Sequence, residues 1–242
     1  MRKAMLLGIA AIAIAVGACG KSHAEDGGPT VNRNYQVGAF DKIEVAGPYD
    51  VTVRTGSGPT VTASGPEKAV EQLVVEVEGD KLVIHSKERH GRWFSWGSHN
   101  FGNTTVQVTV PALSGAAIAG SGGISIDKIK GDTFNGAVGG SGDLTLGSLE
   151  VQSLKLAIGG SGDIRASGQA ASADYSIAGS GDIDARGLKS EIAEASIAGS
   201  GSIRAQATGT ANLKIMGSGD ITLTGGARCT TSKMGSGDIS CS

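Results

Sequence analysis

The sequence predicts an all-β protein, a right-handed parallel β-helix or related β-solenoid with 18–20-residue coils and a small N-terminal cap region. Three observations support this prediction: a glycine excess, a short repeat at near-constant spacing, and strict alternation of apolar residues around each repeat. Gly accounts for 40 of the 242 residues, against a typical usage of about 7%. With 39% hydrophobic residues, the chain is apolar enough to fold around a core.

The tripeptide Gly-Ser-Gly occurs seven times, at spacings of 20, 20, 19, 20, 18 and 18 residues. The copies begin at Gly120, Gly140, Gly160, Gly179, Gly199, Gly217 and Gly235. Self-similarity at a fixed period indicates stacked structural units, because one unit cannot bury its apolar face alone.

Apolar residues recur two positions before and four positions after the first Gly of each copy, as Ile158 and Ile164 do around Gly160. The two glycines share this parity, and the intervening residues are small or polar. A period of two over about ten residues is typical of a β-strand. Identical columns favour parallel, in-register coils over hairpins, and we expect both glycine columns to face inward, where a missing Cβ permits close approach.

An eighth, degenerate copy runs from Val45 to Val53, with Pro48 and Tyr49 in place of Ser and Gly. The repeats proper cover residues 116–242, and residues of about 60–110 form an insertion that we expect to cap the N-terminal end. Within the insertion, the sequence predicts a short helix at 69–73, a hairpin of strands 74–77 and 82–85, and a strand over 106–110. Lys233 breaks the Ile column in the last copy, where a second cap is needed.

The charges nearly cancel, with 21 Lys and Arg against 23 Asp and Glu. This balance argues against a phosphate-binding surface, so we expect no nucleic acid partner.

The N-terminus predicts export. Arg2 and Lys3 precede a small and apolar run that is too short to span a membrane and fits a signal peptide over residues 1–18. Residues 16–19 resemble a bacterial lipobox, in which Cys19 is lipidated. The alternative is ordinary cleavage after Ser22-His23-Ala24. We expect a lipid-anchored protein of the periplasm, outer membrane or cell surface, with a tether over 19–32 and one domain over 33–242.

The chain contains three cysteines. If Cys19 carries lipid, Cys229 and Cys241 remain as a pair, and an oxidising compartment favours a disulfide between them.

A column of carboxylates follows the Gly-Ser-Gly copies: Asp143, Asp163, Asp182, Asp220 and Asp238. Three interpretations compete. The carboxylates can bond nearby turn amides as surface groups, bind a divalent cation such as Ca²⁺ along a ridge, or serve as acid and base of a polysaccharide-cleaving enzyme. The regular repetition favours the first.

One irregular segment, residues 92–101, holds four of the nine aromatic residues of the chain. As a binding loop, Arg92, Trp93, Phe94, Trp96 and Phe101 would stack on sugar rings or enter a membrane interface. As structure, the segment would fold over the open end of the solenoid. His90 and His99 flank it without a spaced carboxylate or thiol, so we expect neither a metal ligand set nor a cofactor.

The block Ile-Ala-Gly-Ser-Gly-Asp-Ile at 177–183, together with the segment Phe-Asp-Lys-Ile-Glu-Val at 40–45, resembles the bacterial GIN domain proteins, labelled putative auto-transporter adhesin, head GIN domain. The resemblance covers residues 33–242. It implies a β-helix-like fold and an exported or envelope location, and it brings no catalytic residues. Because the repeats continue beyond residue 217, we expect no translocator barrel in this chain.

The predicted function is therefore that of a non-enzymatic adhesion, binding or structural module of the cell envelope, with a glycan or another envelope component as the candidate partner. The alternative is a carbohydrate-active β-helix enzyme, a lyase or hydrolase.

Overall fold

The computed structural model describes residues 27–87 and 104–242. Within them lie one helix, α1 (Glu67–Gln72), and sixteen strands. The strands are β1 (Thr30–Tyr35), β2 (Lys42–Ala46), β3 (Asp50–Thr55), β4 (Thr60–Pro66), β5 (Leu73–Glu78), β6 (Lys81–Ser86), β7 (Thr105–Val110), β8 (Gly115–Gly120), β9 (Gly123–Gly140), β10 (Asp143–Gly160), β11 (Asp163–Gly179), β12 (Asp182–Gly199), β13 (Ser202–Gly217), β14 (Asp220–Thr224), β15 (Arg228–Gly235) and β16 (Ile239–Cys241).

The long strands stack in parallel, each on its neighbour in the chain, from β9 through β13. The register places identical repeat positions side by side, so that Leu144 of β10 lies between Ile124 and Ile164 of the adjacent coils. The predicted β-solenoid is confirmed, with about six turns of stacked coils.

The coil that contains β10 bends at three corners. In β10, buried and exposed residues alternate except at Gly147 and Ser148 and again at Gln152 and Ser153, where two exposed residues follow one another. A pair of this kind shifts the alternation by one position, which keeps apolar side chains inward after the chain turns. The third corner is Gly-Ser-Gly, and the core lies between the three short faces.

The two glycines of each corner serve different purposes, and the prediction that both face inward was wrong for the first. Gly179, a first glycine, is only half-buried and has φ +143°, a conformation that L side chains rarely adopt. A Cβ on it would lie 2.1 Å from the carbonyl oxygen of Gly160 in the coil below. Gly181, a second glycine, is buried and meets the Gly162 carbonyl equally closely.

The degenerate copy occupies the place that its sequence predicts. Val45 of β2 pairs with Ile118 of β8, and Val51 of β3 pairs with Ile124 of β9. Strands β6 and β7 then form a further coil on the outside, parallel to β2 and β3 respectively. Part of the predicted capping insertion is therefore a coil of the solenoid itself.

The cap replaces parallel with antiparallel pairing. Strand β5 pairs with β6, β4 pairs with β7, and β1 pairs with β4, all antiparallel. Helix α1 contributes the buried side chains of Ala69 and Val70. Strand β1 begins at Thr30, within the segment predicted as tether. No helix in residues 27–87 or 104–242 has the length and apolarity to cross a membrane.

At the C-terminal end, β15 and β16 form the last coil, and the predicted disulfide between Cys229 and Cys241 is confirmed. The two cysteines stand in register with the core residues Ala211 and Leu223 of the coil below. Leu223 is therefore only 1% exposed. The two cysteines are 12 positions apart in the sequence. In the chain-entropy model, a disulfide that closes a loop of this length raises the free energy of unfolding by about 3 kcal/mol.

Lys233 takes the column position above Ile215 and reaches the carboxylate of Asp238 at 3.8 Å. The ion pair and the disulfide together place a polar, cross-linked layer over the last aliphatic residues. We call this layer the C-terminal plug.

The substitution Gly179→Ala should lower the free energy of unfolding by about 2 kcal/mol or more, because it combines an unfavourable φ with a collision against rigid backbone. Gly159→Ala is the matched control, since no atom lies within 4 Å of the position that its Cβ would take, and the change should stay within about 0.5 kcal/mol. Urea unfolding of both variants measures the difference. Equal effects would contradict the assigned corner geometry.

Candidate functional site

The predicted Asp column forms a ridge on the outer wall, with Asp163 in register between Asp143 and Asp182. Several of these carboxylates bond to the backbone of the next coil. Oδ1 of Asp182 accepts from the Ser202 N–H at 2.9 Å, and Oδ1 of Asp220 accepts from the Asp238 N–H at 2.9 Å. The amide of Asp182 itself donates to Asp163 at 3.3 Å.

This geometry favours the interpretation of the ridge as a ladder of side chain–amide bonds that holds successive coils together. Across residues 27–87 and 104–242, no three His, Cys, Asp or Glu side chains are grouped so that they could hold a metal ion.

A second outward column on the same face carries Arg165, Asp184 and Arg204 in adjacent coils. Arg186 donates two hydrogen bonds to Asp184, at 2.8 and 2.6 Å. The bonds from Arg186 lower the pKa of Asp184 to about 2, and the charge of Arg204 adds to the effect. Asp184 is thus paired with Arg186, and Arg165 is paired with Asp163 at 3.4 Å, so this face offers few free carboxylates to a ligand.

A groove of about 320 Å³ lies on a different face, the one that precedes the Gly-Ser-Gly corner. Sequence reasoning did not identify it. Its lining comes from four adjacent coils, at positions that the register stacks in two columns. The wall column is Lys155, Asp174, Glu194 and Asn212, and the floor column is Ala157, Ser176, Ser196 and Lys214.

Most polar groups of this groove are not engaged by the protein. The Lys155 ammonium lies 3.6 Å from the Asp174 carboxylate. In the part of the chain that the structure describes, the side chains of Glu194, Asn212 and Lys214 form no hydrogen bond or ion pair, and the same holds for the two serine hydroxyls. A row of unengaged donors and acceptors is what a polar ligand needs.

Beside the floor column runs a further column of small residues, Gly159, Ala178 and Ala198, which leaves the groove open on that side. The column ends in two methionines, Met216 and Met234, whose side chains are 63% and 70% exposed. The face is thus a step: a charged wall lies along one edge, and beside it a flat floor two columns wide extends over three coils. At its C-terminal end the floor meets Lys214 and the apolar pair Met216 and Met234.

The aromatic segment, residues 92–101, and the predicted lipidation site Cys19 lie outside the described residues. The described chain ends at residue 87 before the aromatic segment and resumes at residue 104 after it, and the register of its two ends is informative. His85 pairs with Ala46, and Thr105 pairs with Asp50. The last residues described before the segment and the first described after it therefore lie at the corner where the repeats carry Gly-Ser-Gly. Tyr49 of the neighbouring coil hydrogen-bonds Ser86 there at 2.5 Å.

A family model described as putative auto-transporter adhesin, head GIN domain, matches residues 39–227. The chain belongs to this family, and the resemblance predicted from the repeated block is confirmed. No curated protein matches the chain.

Solved structures share the fold over most of their length. A putative adhesin from Bacteroides fragilis is 25% identical, with a TM-score of 0.76 over 88% of this chain and 97% of that one. A putative lipid binding protein from Parabacteroides distasonis is 26% identical, with a TM-score of 0.70 over 89% and 97%. A putative adhesin from Parabacteroides merdae, 21% identical, has a TM-score of 0.69 over 90% and 98%.

A structural role of the Asp ladder predicts a different result from a cation-binding role. Asp182→Ala should lower the free energy of unfolding by about 1–2 kcal/mol, because the Ser202 amide loses a charged acceptor. Asp143→Ala, exposed and without such a bond, should change it by no more than about 0.5 kcal/mol.

Thermal unfolding of the wild type should give the same midpoint with Ca²⁺ and with a chelator. A higher midpoint in Ca²⁺, lost in Asp182→Ala, would instead support a cation ridge.

Proposed function

We propose that this protein is an exported, lipid-anchored envelope protein that acts as a non-enzymatic adhesion module and holds its ligand along the solenoid wall. The observation that carries the proposal is the groove over Ala157, Ser176 and Ser196, a rigid surface with polar groups that the protein leaves unengaged. The backbone under this row is already ordered in the sheet, so a ligand meets a preformed surface. Family membership among adhesin heads supports the role.

The proposed anchor is Cys19, after removal of residues 1–18. Ten residues lie between Cys19 and Thr30, where β1 begins. The N-terminal cap would then be the end of the solenoid nearest the membrane, and the plug the end farthest from it.

Cys19→Ala should move the protein from the membrane fraction to the soluble exported fraction, because it removes the acceptor of the lipid. Cell fractionation and immunoblotting measure the distribution. Cys241→Ser serves as the control for the loss of a cysteine outside the predicted lipobox and should stay with the membrane. Retention of Cys19→Ala in the membrane would contradict the proposed anchor.

The enzyme alternative is disfavoured by the arrangement of the groove carboxylates. Asp174 and Glu194 belong to one column, so they stand side by side on the same wall. Glycoside hydrolysis needs two carboxyl groups that flank the scissile bond from different sides. In addition, the Asp174 carboxylate is paired with Lys155.

We further propose that the aromatic segment, residues 92–101, takes part in ligand binding. A screen against immobilised glycans, other envelope components and phospholipid vesicles tests this with the Trp93→Ala/Trp96→Ala double variant. The vesicles are included because a relative is named a putative lipid binding protein and because Met216 and Met234 are exposed.

Replacing two stacking aromatic rings should weaken binding by about tenfold or more, and Trp93→Phe/Trp96→Phe should retain most of it. Unchanged binding by the alanine variant would remove the segment from the binding surface. Absence of wild-type binding to every component, and to whole cells, would contradict the adhesion role.

A further inference from the structure

We infer that the groove binds a neutral, hydroxyl-rich oligosaccharide segment that lies parallel to the solenoid axis. This inference rests on the proposed adhesion role and names the ligand class of the same site. Four features of the groove support it: its spacing, its mixture of donors and acceptors, its charge balance, and its floor.

The spacing comes from the fold. Equivalent side chains of stacked coils are about 4.8 Å apart, so the wall from Lys155 to Asn212 extends over about 14 Å. A β-linked pyranose chain advances by a similar distance for each ring, so one ring can lie against each coil. An extended peptide repeats its same-side groups about every 6.8 Å, so its side chains fall out of step with the wall. Successive rings of a β-1,4-linked chain also turn over, but each ring carries hydroxyl groups on both edges and can bond to the coil beside it.

The polar groups match hydroxyls. Glu194 can only accept hydrogen bonds, Lys214 can only donate them, and Ser176, Ser196 and Asn212 can do both. Hydroxyl groups also do both, so one class of ligand can satisfy every group along the groove. A ligand with only acceptors would offer no donor to Glu194.

The charge of the groove is balanced. Lys155 and Lys214 stand at the two ends, and Asp174 and Glu194 lie between them. A polyanionic glycan would meet the two carboxylates in the centre, and a polycation would meet the two lysines. The balance favours a neutral ligand.

The floor accommodates a flat ring. Ala157 and the neighbouring Gly159, Ala178 and Ala198 present only methyl groups and backbone. A pyranose ring has an apolar C–H face and a rim of hydroxyls. With the C–H face on the floor, the rim reaches the wall of charged and amide side chains.

Titration calorimetry of the purified protein with tetramers of β-1,4-linked glucose and of β-1,4-linked N-acetylglucosamine tests the inference. We expect binding to at least one tetramer. Ser196→Arg should weaken it by about tenfold or more, because a long side chain then stands on the floor. Lys214 occupies the next position of the same column, so the coil tolerates such a side chain. Glu194→Ala and Asn212→Ala should each weaken binding about five- to tenfold.

Thr222→Arg is the matched control, since it adds the same side chain to the Asp-ridge face beside Arg204. It should bind as the wild type does. Unchanged affinity in Ser196→Arg, no binding of either tetramer at millimolar concentration, or preferential binding of a sulfated oligosaccharide or an extended peptide would overturn the inference.

Adhesion to whole cells, measured in parallel, separates the two proposals. If the wild type and Ser196→Arg adhere equally, the groove inference fails and the adhesion role stands. If the wild type does not adhere, the adhesion role fails, whereas binding of a tetramer in calorimetry that is weakened in Ser196→Arg would still support the groove as a glycan site.

Discussion

The stacking distance between coils constrains the whole molecule. Parallel strands that share hydrogen bonds lie about 4.8 Å apart, and at the Gly-Ser-Gly corner this distance leaves no room for a Cβ. A Cβ on Gly179 would lie only 2.1 Å from the Gly160 carbonyl. Glycine at this corner is therefore a condition for in-register stacking. In-register stacking in turn creates the aliphatic columns of the core, the Asp ladder and the columns that line the groove.

The same constraint explains how the ends are built. A coil in the middle is covered by two neighbours, whereas a terminal coil has only one. At the N-terminal end, the antiparallel strands β1, β4 and β5 cover the outermost coil. At the C-terminal end, the plug does so with the disulfide and the Lys233–Asp238 pair. Unpaired strand edges invite association with other chains, and a charged residue in the last aliphatic column works against it.

The fold could be predicted from the sequence because its signal is repeated. Seven copies average out local irregularity, and even the degenerate copy at residues 45–53 aligned correctly. The extra coil of β6 and β7 was missed because it lacks the Gly-Ser-Gly corner and its two strands are separated in sequence. The groove was missed for a related reason. Its signal lies in the columns next to the repeat. Asp174 and Ser176 can be recognised as members of a wall column and a floor column only after the coils are aligned in register.

Because each coil contacts only its neighbours, the number of coils can change without a change at either end of the solenoid. An insertion or deletion of one complete repeat would move every later residue by one coil and leave each in its own column. The cap at β1 and the plug at Cys229 and Cys241 would be unaffected. The length of the solenoid, and the number of coils along its outer faces, can therefore change in evolution by whole steps without redesign of the core.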